Sequence, residues 1–189
     1  MQNVCNTANR ICVAGDLFLP RILLVEDHAP TAAMLMAMLK GLGYARAALA
    51  PNTDQAIVQL RAGGVDLLLC DYELGMINGL TLVKMVRRPE GLGNPMLPIV
   101  MMTAHAEGPL VAEAMAAGVD DFLVKPIMPE ALLRCLQQVL QRSRPYVKSR
   151  DYAGPDRRRR KTTDHPGRRN GDGKTRPLRL GKHKVWDTD

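Results

Sequence analysis

The sequence predicts an α/β fold in which helices cover both faces of a doubly wound, five-stranded parallel sheet. Five short apolar runs alternate with five segments of helical periodicity, a spacing typical of parallel strands joined by helices. The apolar runs are nearly uninterrupted, as in strands that are buried on both faces. Right-handed crossovers place the carboxyl ends of such strands at one edge, where ligands bind. The order of the strands does not follow from this alternation.

The first two strand–helix units occupy the start of the regular pattern. The wholly apolar run 22–25 predicts a central strand, and Pro30 suits the first turn of a helix that Gly41 ends. Residues 45–49 predict a second strand that is less apolar than the first. Asn52 is a candidate N-cap for the next helix.

Three further units complete the predicted sheet. The segment 89–95 contains two prolines and two glycines, so it forms a turn between a helix and the next strand. Gly118 ends the fourth helix. We predict strands at 65–70, 97–102 and 122–124, and helices at 80–87, about 110–117 and 129–142.

The charged residues divide the chain into parts with different physical properties. Residues 143–189 contain 15 Lys and Arg against 6 Asp and Glu, whereas residues 1–142 contain 11 against 13. The whole net charge of +7 therefore comes from the last quarter of the chain. Low hydrophobicity combined with high charge is typical of disorder. We predict a loose leader at 1–19, a folded domain at 20–143 and a basic, disordered tail at 144–189.

Neither end of the chain carries a pattern that indicates export. No apolar run approaches the roughly 20 residues that a membrane-spanning helix needs, and residues 1–19 lack the features of a signal peptide. The expected location is therefore cytoplasmic. The four cysteines have no C-x-x-C spacing, which favours reduced thiols over a disulfide framework or a zinc site. They are Cys5, Cys12, Cys70 and Cys135.

Polar groups with complementary chemistry follow four of the predicted strands. Glu26 and Asp27 follow the first strand, Asp71 the third, Thr103 the fourth and Lys125 the fifth. In a parallel sheet these groups meet at one edge. Carboxylate oxygens are the ligands that Mg²⁺ prefers, and a carboxylate that attacks phosphorus forms an acyl phosphate. A site for a divalent metal and a phosphoryl group is therefore the leading hypothesis, although an acidic pair before a helix also suits a helix start.

Residues 21–142 resemble the receiver domain of two-component response regulators, in particular stand-alone members that are similar to the chemotaxis regulator. The matching motifs are Glu26-Asp27, Asp71 with a glycine eight residues later, Thr103-Ala104 and Lys125-Pro126. The resemblance implies a flavodoxin-like (βα)5 receiver fold, a cis peptide bond before Pro126, and Mg²⁺ as cofactor. It implies a phosphorylation-dependent signalling switch and no enzyme activity beyond self-catalysed phosphoryl acceptance and hydrolysis.

The same resemblance assigns a role to each motif residue. Asp71 is the expected phosphoacceptor, and Lys125 and Thr103 are its expected catalytic partners. Family members often have Asp where this chain has Glu26, so direct ligation by the longer side chain is left open. The expected metal ligands are Asp27, Asp71, Glu26 and the backbone carbonyl of Glu73.

Thr103 and Phe122 are the expected switch residues. In the family the threonine hydroxyl moves to bond a phosphoryl oxygen, and this movement makes room for the residue at position 122 to turn inward. Many members have Tyr where this chain has Phe122. A β-branched strand residue and a core aromatic are the simpler interpretations of these two positions. Glu73 and His105 flank the site and are candidates for tuning the hydrolysis of the acyl phosphate.

A sensor histidine kinase or phosphotransfer protein is the expected phosphoryl donor. The downstream partner is an unknown protein, and a homodimer is left open. The alternative is a receiver-regulated adaptor whose tail binds nucleic acid or anionic membrane, since clustered arginines hold phosphates. A merely solubilising tail is an equally simple interpretation. The candidate polyanion-binding residues are Arg157, Arg158, Arg159, Arg160, Arg168 and Arg169.

A phosphatase that forms an aspartyl phosphate is a third, disfavoured class. Such enzymes place a second acid two residues after the nucleophile, and Glu73 has that spacing from Asp71. Their nucleophile, however, follows the first strand, and the Glu26-Asp27 pair has no matching role in them. Steady turnover of a phosphomonoester would favour this class over a switch.

Overall fold

Five parallel strands form one sheet in the order β2-β1-β3-β4-β5. The structure is a computed structural model that describes residues 19–75, 77–104, 107–142 and 144–157. Each sheet strand is three to five residues long, and the predicted strands are confirmed, with the bounds of β1 unchanged and the bounds of the others shifted by at most three residues. The strands are β1 (Ile22–Val25), β2 (Ala48–Ala50), β3 (Leu67–Asp71), β4 (Ile99–Thr103) and β5 (Asp121–Val124).

Helices connect these strands, as the alternating pattern predicts. The Asn52 side chain caps the second helix by accepting a hydrogen bond from the backbone N–H of Gln55 at 2.9 Å. Gly118 ends the fourth helix in the left-handed conformation that favours glycine. The helices are α1 (Ala29–Gly41), α2 (Thr53–Ala62), α3 (Gly79–Val86), α4 (Gly108–Ala117) and α5 (Pro129–Gln141).

The core consists of two apolar layers, one on each face of the sheet. Alternate residues of β1, β3 and β4 point to opposite faces, so each strand contributes to both layers. One layer packs these strands against α2, α3 and α4, and the other packs them against α1 and α5. Leu68 and Leu69, for example, are both fully buried but belong to different layers. Burial on both faces explains why the strand sequences are almost wholly apolar.

Residues 144–157 correct the prediction of a disordered tail from residue 144 onward. Two further strands, β6 (Tyr146–Lys148) and β7 (Ala153–Pro155), pair in antiparallel orientation to form a hairpin. Tyr152 and Ala153 are buried, so this hairpin packs against the domain. Charge and glycine content predict disorder only when nothing buries the few apolar residues present, and here the domain buries them. The leader 1–18 and residues 158–189 lie outside the described residues.

Two further expectations concern cysteine chemistry and membranes. Cys70 and Cys135 are free thiols in buried positions, whereas Cys5 and Cys12 lie outside the described residues. Burial raises the pKa of the Cys135 thiol to about 12, so this group is neutral at ordinary pH. Within the part of the chain that the structure describes, no helix has both the length and the apolar character that a membrane crossing requires.

Candidate functional site

The carboxyl ends of β1, β3, β4 and β5 bring the predicted polar residues together. Asp71 and Thr103 are the last residues of β3 and β4, while Glu26 and Lys125 directly follow β1 and β5. The backbone N–H of Lys125 donates to the carbonyl of Thr103 at 2.8 Å, which extends the β4–β5 pairing to the site. The peptide bond between Lys125 and Pro126 is cis, as the resemblance implies.

Lys125 bonds two carboxylates at once. Its ammonium donates to Asp71 Oδ2 at 2.8 Å and to Glu26 Oε2 at 3.0 Å. The Asp71 and Glu26 side chains are almost fully buried, whereas 26% of the Lys125 side chain is exposed. The sequence predicted the bond to Asp71 but not the bond to Glu26. The ammonium stabilises two carboxylate charges that burial would otherwise disfavour.

The pKa shifts in this group follow from burial and mutual charge. Burial raises the pKa of Glu26, with a contribution from the charge of Asp71, and the hydrogen bond from Lys125 opposes the rise. Burial lowers the pKa of Lys125, but its hydrogen bonds to Asp71 and Glu26 outweigh that effect, so the net shift is upward. Lys125 therefore stays charged across the physiological range, and it supplies a fixed positive charge beside Asp71.

Three carboxylates form an acidic group that suits a small divalent cation. Glu26, Asp27 and Asp71 each place one oxygen within 4.8 Å of the others. Ligands on opposite sides of an octahedral Mg²⁺ lie about 4.2 Å apart, so small side-chain rotations suffice to hold the ion. Lys125 offsets only one of the three negative charges. The donor set therefore fits Mg²⁺, whereas ligation by the carbonyl of Glu73 stays a prediction.

Gly79 lets the chain close tightly behind Asp71. Its N–H donates to the carbonyl of Tyr72 at 2.8 Å, which brings the start of α3 against the end of β3. A Cβ at position 79 would lie only 2.0 Å from the Asp71 carbonyl oxygen and 2.9 Å from Cys70 Sγ. Only glycine fits there, which gives a physical reason for the glycine eight residues after Asp71.

Comparison with known proteins agrees with this geometry. Residues 22–137 match the family described as the response regulator receiver domain. The chain belongs to the receiver family. The chemotaxis protein CheY of Pseudomonas aeruginosa is 30% identical to this receiver over 122 residues, which cover 65% of this chain and 97% of that protein. This match confirms the resemblance and the receiver fold.

Solved receivers share the arrangement of strands and helices. A response regulator from Chloroflexus aurantiacus superposes with a TM-score of 0.59 at 34% identity, over 65% of this chain and 99% of that one. The receiver domain of the sensor histidine kinase PA1611 from Pseudomonas aeruginosa gives a TM-score of 0.57 at 30% identity, covering 64% and 97%. Its crystal structure has a magnesium ion coordinated in the active site cleft.

Other relatives are much longer proteins. The transcriptional regulatory protein ZraR of Klebsiella oxytoca is 34% identical over 123 residues, which cover 65% of this chain but 27% of that protein. The chain thus spans about a quarter of the length of the first curated relatives it matches. The match to the receiver family ends at residue 137, before the β6–β7 hairpin begins.

The expected switch residues of this receiver lie on the neighbouring strands β4 and β5. Thr103 is buried at the end of β4. Phe122 is half-buried on β5 and packs against the layer formed with α2, α3 and α4. It therefore has contact with the core and partial access to solvent. His105 lies outside the described residues, and the roles of Thr103 and Phe122 as moving parts stay predictions.

The structure also contains a buried ionic cluster that sequence reasoning missed. Arg87, which is 1% exposed, donates from Nη2 to Asp120 Oδ2 at 3.0 Å. Arg144 donates to the other oxygen of Asp120 at 2.5 Å. This cluster lies at the amino end of β5, at the opposite edge from Asp71. Its members are far apart in the sequence and belong to no motif, so no sequence signal identified them.

Only the first of the predicted polyanion-binding arginines lies within the described residues. The Arg157 guanidinium lies 3.8 Å from the centroid of the Tyr152 ring and donates a hydrogen bond to the carbonyl of Ala116. Arg157 therefore makes a cation–π contact with Tyr152 of the hairpin segment and a hydrogen bond to α4 of the receiver. The other candidates, Arg158, Arg159, Arg160, Arg168 and Arg169, lie outside the described residues, and binding of a polyanion by this group stays a prediction.

Proposed function

We propose that this protein is a phosphorylation-dependent signalling switch in which Asp71 accepts a phosphoryl group. The observation that carries the proposal is the meeting of Asp71, Lys125 and the acidic pair at one sheet edge. Membership of the receiver family supports it. The donor is a sensor histidine kinase or phosphotransfer protein, because such proteins present a phosphoryl group to receivers.

In the proposed reaction an Asp71 carboxylate oxygen attacks phosphorus, and the bond from phosphorus to the donor atom breaks. The donor atom leaves with the electron pair of that bond. Lys125 holds one carboxylate oxygen at 2.8 Å, which leaves the other to attack. Its ammonium also provides the positive charge that a transferring phosphoryl group requires. Mg²⁺, held by Glu26, Asp27 and Asp71, would neutralise further charge on the phosphoryl oxygens.

Glu26 contributes by fixing Lys125 in place. Its Oε2 accepts from Lys125 at 3.0 Å, and its Oε1 accepts from the backbone N–H of His28 at 3.3 Å. Because Glu26 is only 1% exposed, its position is set by packing. A lysine with two acceptors keeps its position when Asp71 changes from a carboxylate into an acyl phosphate. The ammonium then has one carboxylate partner and one phosphoryl oxygen partner.

Phosphorylation is tested by incubating the full chain with acetyl phosphate and Mg²⁺. Phosphorus moves from an acetate oxygen to Asp71, acetate leaves, and one acid-labile phosphate per chain is expected by mass spectrometry. Asp71→Asn should incorporate none, because an amide is not a nucleophile for phosphorus under these conditions. Asp54→Asn makes the same chemical change at an exposed position in the first turn of α2 and should incorporate as the parent does.

The proposal fails if phosphate incorporation is absent, or if it persists in Asp71→Asn. Steady turnover of a phosphomonoester by the parent, lost in Asp71→Asn, would favour a phosphatase that uses Asp71 as its nucleophile instead. A further arm omits Mg²⁺. Phosphate incorporation should then fall, because the three carboxylates repel the anionic donor and only the Lys125 ammonium offsets their charge.

A further inference from the structure

A buried hydrogen bond joins the β6–β7 hairpin to the receiver. The N–H of Ala153 donates to the carbonyl of Arg87 at 2.7 Å, and Ala153 is fully buried. The buried Tyr152 hydroxyl donates to the carbonyl of Pro155 at 2.8 Å, which fixes the form of the hairpin segment itself. Because buried backbone groups need hydrogen-bond partners, these bonds define one docked position of the hairpin.

The hairpin contacts the end of α4 and the connection that leads from it to β5. Arg157 donates to the carbonyl of Ala116 in the last turn of α4. Two nitrogens of Arg87 donate to the carbonyl of Gly118, at 2.9 and 3.1 Å. Asp120, two residues after Gly118, accepts from Arg144, which lies two residues before the start of β6. The end of α4 and the connection after it are therefore held by three arginines. Arg144 and Arg157 flank the hairpin strands, and Arg87 follows α3.

This contact has little room for adjustment. A Cβ at Gly154 would lie 2.8 Å from Arg87 Cδ and 3.0 Å from the Pro95 carbonyl oxygen. A Cβ at Gly118 would lie 2.9 Å from both Arg87 Nε and the Tyr152 hydroxyl. Because both positions accept only glycine, the hairpin fits one placement of the end of α4. A displacement of that helix would cost several of these bonds together.

The other end of α4 begins beside the phosphoryl site. Thr103 ends β4, and Glu107 occupies the N-cap position of α4 only four residues later. The strand from Thr103 back to Ile99 spans about 13 Å. At its far end Ile99 makes two hydrogen bonds with Asp120: its N–H donates to the side-chain Oδ2 at 3.0 Å, and its carbonyl accepts from the backbone N–H at 2.8 Å. Strand β4 and helix α4 thus both run from the site to the hairpin.

We propose that residues 144–157 act as a strap that holds α4 in the position found with Lys125 bonded to Asp71 and Glu26, and that phosphorylation of Asp71 loosens the strap. This proposal rests on the proposed function of Asp71. A strap that fits only one position of α4 stabilises the state of the switch in which α4 has that position. Because such coupling is reciprocal, a phosphoryl group that favours another position of α4 weakens the strap contacts. Loosening frees Arg157, the residue at which the basic run 157–161 begins, from the Ala116 carbonyl of α4.

The strap is tested with beryllofluoride and Mg²⁺, which mimic the phosphoryl group, on the full chain. The first readout is hydrogen exchange of the Ala153 amide, because this N–H is protected by its bond to Arg87. Beryllofluoride should accelerate that exchange by about fivefold or more, the lower range of typical coupling between sites. The same addition to Asp71→Asn should leave the exchange unchanged.

The second readout is the affinity for beryllofluoride, measured by fluorine NMR, in strap variants. Arg157→Ala removes the hydrogen bond from the strap to Ala116 of α4, at an exposed residue, and should bind beryllofluoride about fivefold more tightly than the parent. Gly154→Val, whose side chain collides with Arg87, should act in the same direction. Arg150→Ala is the matched control, because it removes an exposed arginine of the same hairpin turn and should change neither readout. Circular dichroism confirms that each variant is folded.

Two results separate the strap from the switch. If the fluorine spectrum shows beryllofluoride bound while Ala153 exchange stays at its starting rate, the strap proposal is overturned and the switch survives. Equal affinities for Arg157→Ala and Arg150→Ala overturn it as well. If beryllofluoride does not bind and acetyl phosphate adds no phosphate, the proposed function fails, and the coupling fails with it.

Discussion

The two edges of the sheet carry ionic clusters of opposite composition. At the carboxyl edge one ammonium, that of Lys125, faces three carboxylates. At the amino edge one carboxylate, that of Asp120, lies between the guanidinium groups of Arg87 and Arg144. The first cluster has an excess of two negative charges and the second an excess of one positive charge.

The two clusters differ in whether neighbouring groups of the protein stabilise the excess charge. At the amino edge backbone carbonyls of Gly118 and Pro95 accept the remaining hydrogen bonds of Arg87, and the carbonyl of Asp156 accepts from Arg144. At the carboxyl edge Asp27 is exposed and adds a third negative charge beside Asp71. A buried, satisfied cluster serves structure, whereas an open cluster with unbalanced charge needs a cationic ligand.

The largest effect is expected from removing the central carboxylate of the amino edge. Asp120→Ala leaves two guanidinium groups without their shared partner, and breaking a buried ion pair in this way costs about 3–5 kcal/mol. Burial already lowers the pKa of Arg87, and Asp120 opposes that shift, so the loss of Asp120 leaves the desolvation of Arg87 uncompensated. The free energy of unfolding in urea measures the effect.

A matched control for this prediction is the exposed pair between Lys84 and Glu113. Their side chains are 53% and 57% exposed, and the N···O distance is 3.0 Å, equal to that between Arg87 and Asp120. Glu113→Ala should therefore cost only about 0–1 kcal/mol. Similar losses in the two variants would show that the amino edge is no more buried in solution than the surface pair.

The carboxyl edge could be predicted from the sequence, and the amino edge could not. Glu26, Asp71 and Lys125 each stand at the carboxyl end of an apolar strand. Because the carboxyl ends of parallel strands lie at one edge of the sheet, this pattern is enough to predict that the three side chains meet. Arg87 and Asp120 are 33 residues apart and lie at a helix end and before a strand. Nothing in their local sequence distinguishes them from exposed charges.

The hairpin was missed for a related physical reason. Its strands are three residues long, and its glycine, proline and arginine content matches that of a disordered segment. Its docking depends on Arg87 and Pro95, which belong to a distant part of the chain. The composition of a segment indicates whether it can form a core by itself. Tyr152 and Ala153 are instead buried against residues of the domain.

An intermediate effect is expected from removing the exposed acid of the carboxyl edge. Asp27→Ala deletes one of three candidate ligands and should weaken Mg²⁺ binding by about tenfold or more, at least as much as loss of an outer-shell partner costs. Because Asp27 is exposed, the free energy of unfolding without Mg²⁺ should change little. Titration calorimetry with Mg²⁺ measures the first quantity, and unchanged affinity would exclude Asp27 from the metal site.

The smallest effect is expected from the titration of Glu26. Burial, the main cause, raises the pKa of Glu26 in the folded protein above the ordinary value of 4.5. Between the unfolded and folded pKa values, the folded state therefore binds more protons than the unfolded state. Stability from this group is present below pH 4.5 and is lost as the pH rises through the folded pKa. Glu26→Gln lacks the titrating proton, so the parent should lose stability relative to this variant as the pH rises.

The pH series separates this effect from the ion pair with Lys125. The pKa of Lys125 is itself raised above 10.5, so its charge is constant throughout the acidic window and cannot cause the divergence. Urea unfolding of the parent and of Glu26→Gln without Mg²⁺, from about pH 4 to about pH 8, should give curves that converge at the acid end. Parallel curves would mean that Lys125 fully offsets the burial of Glu26, and the carboxyl edge would then be as well satisfied internally as the amino edge.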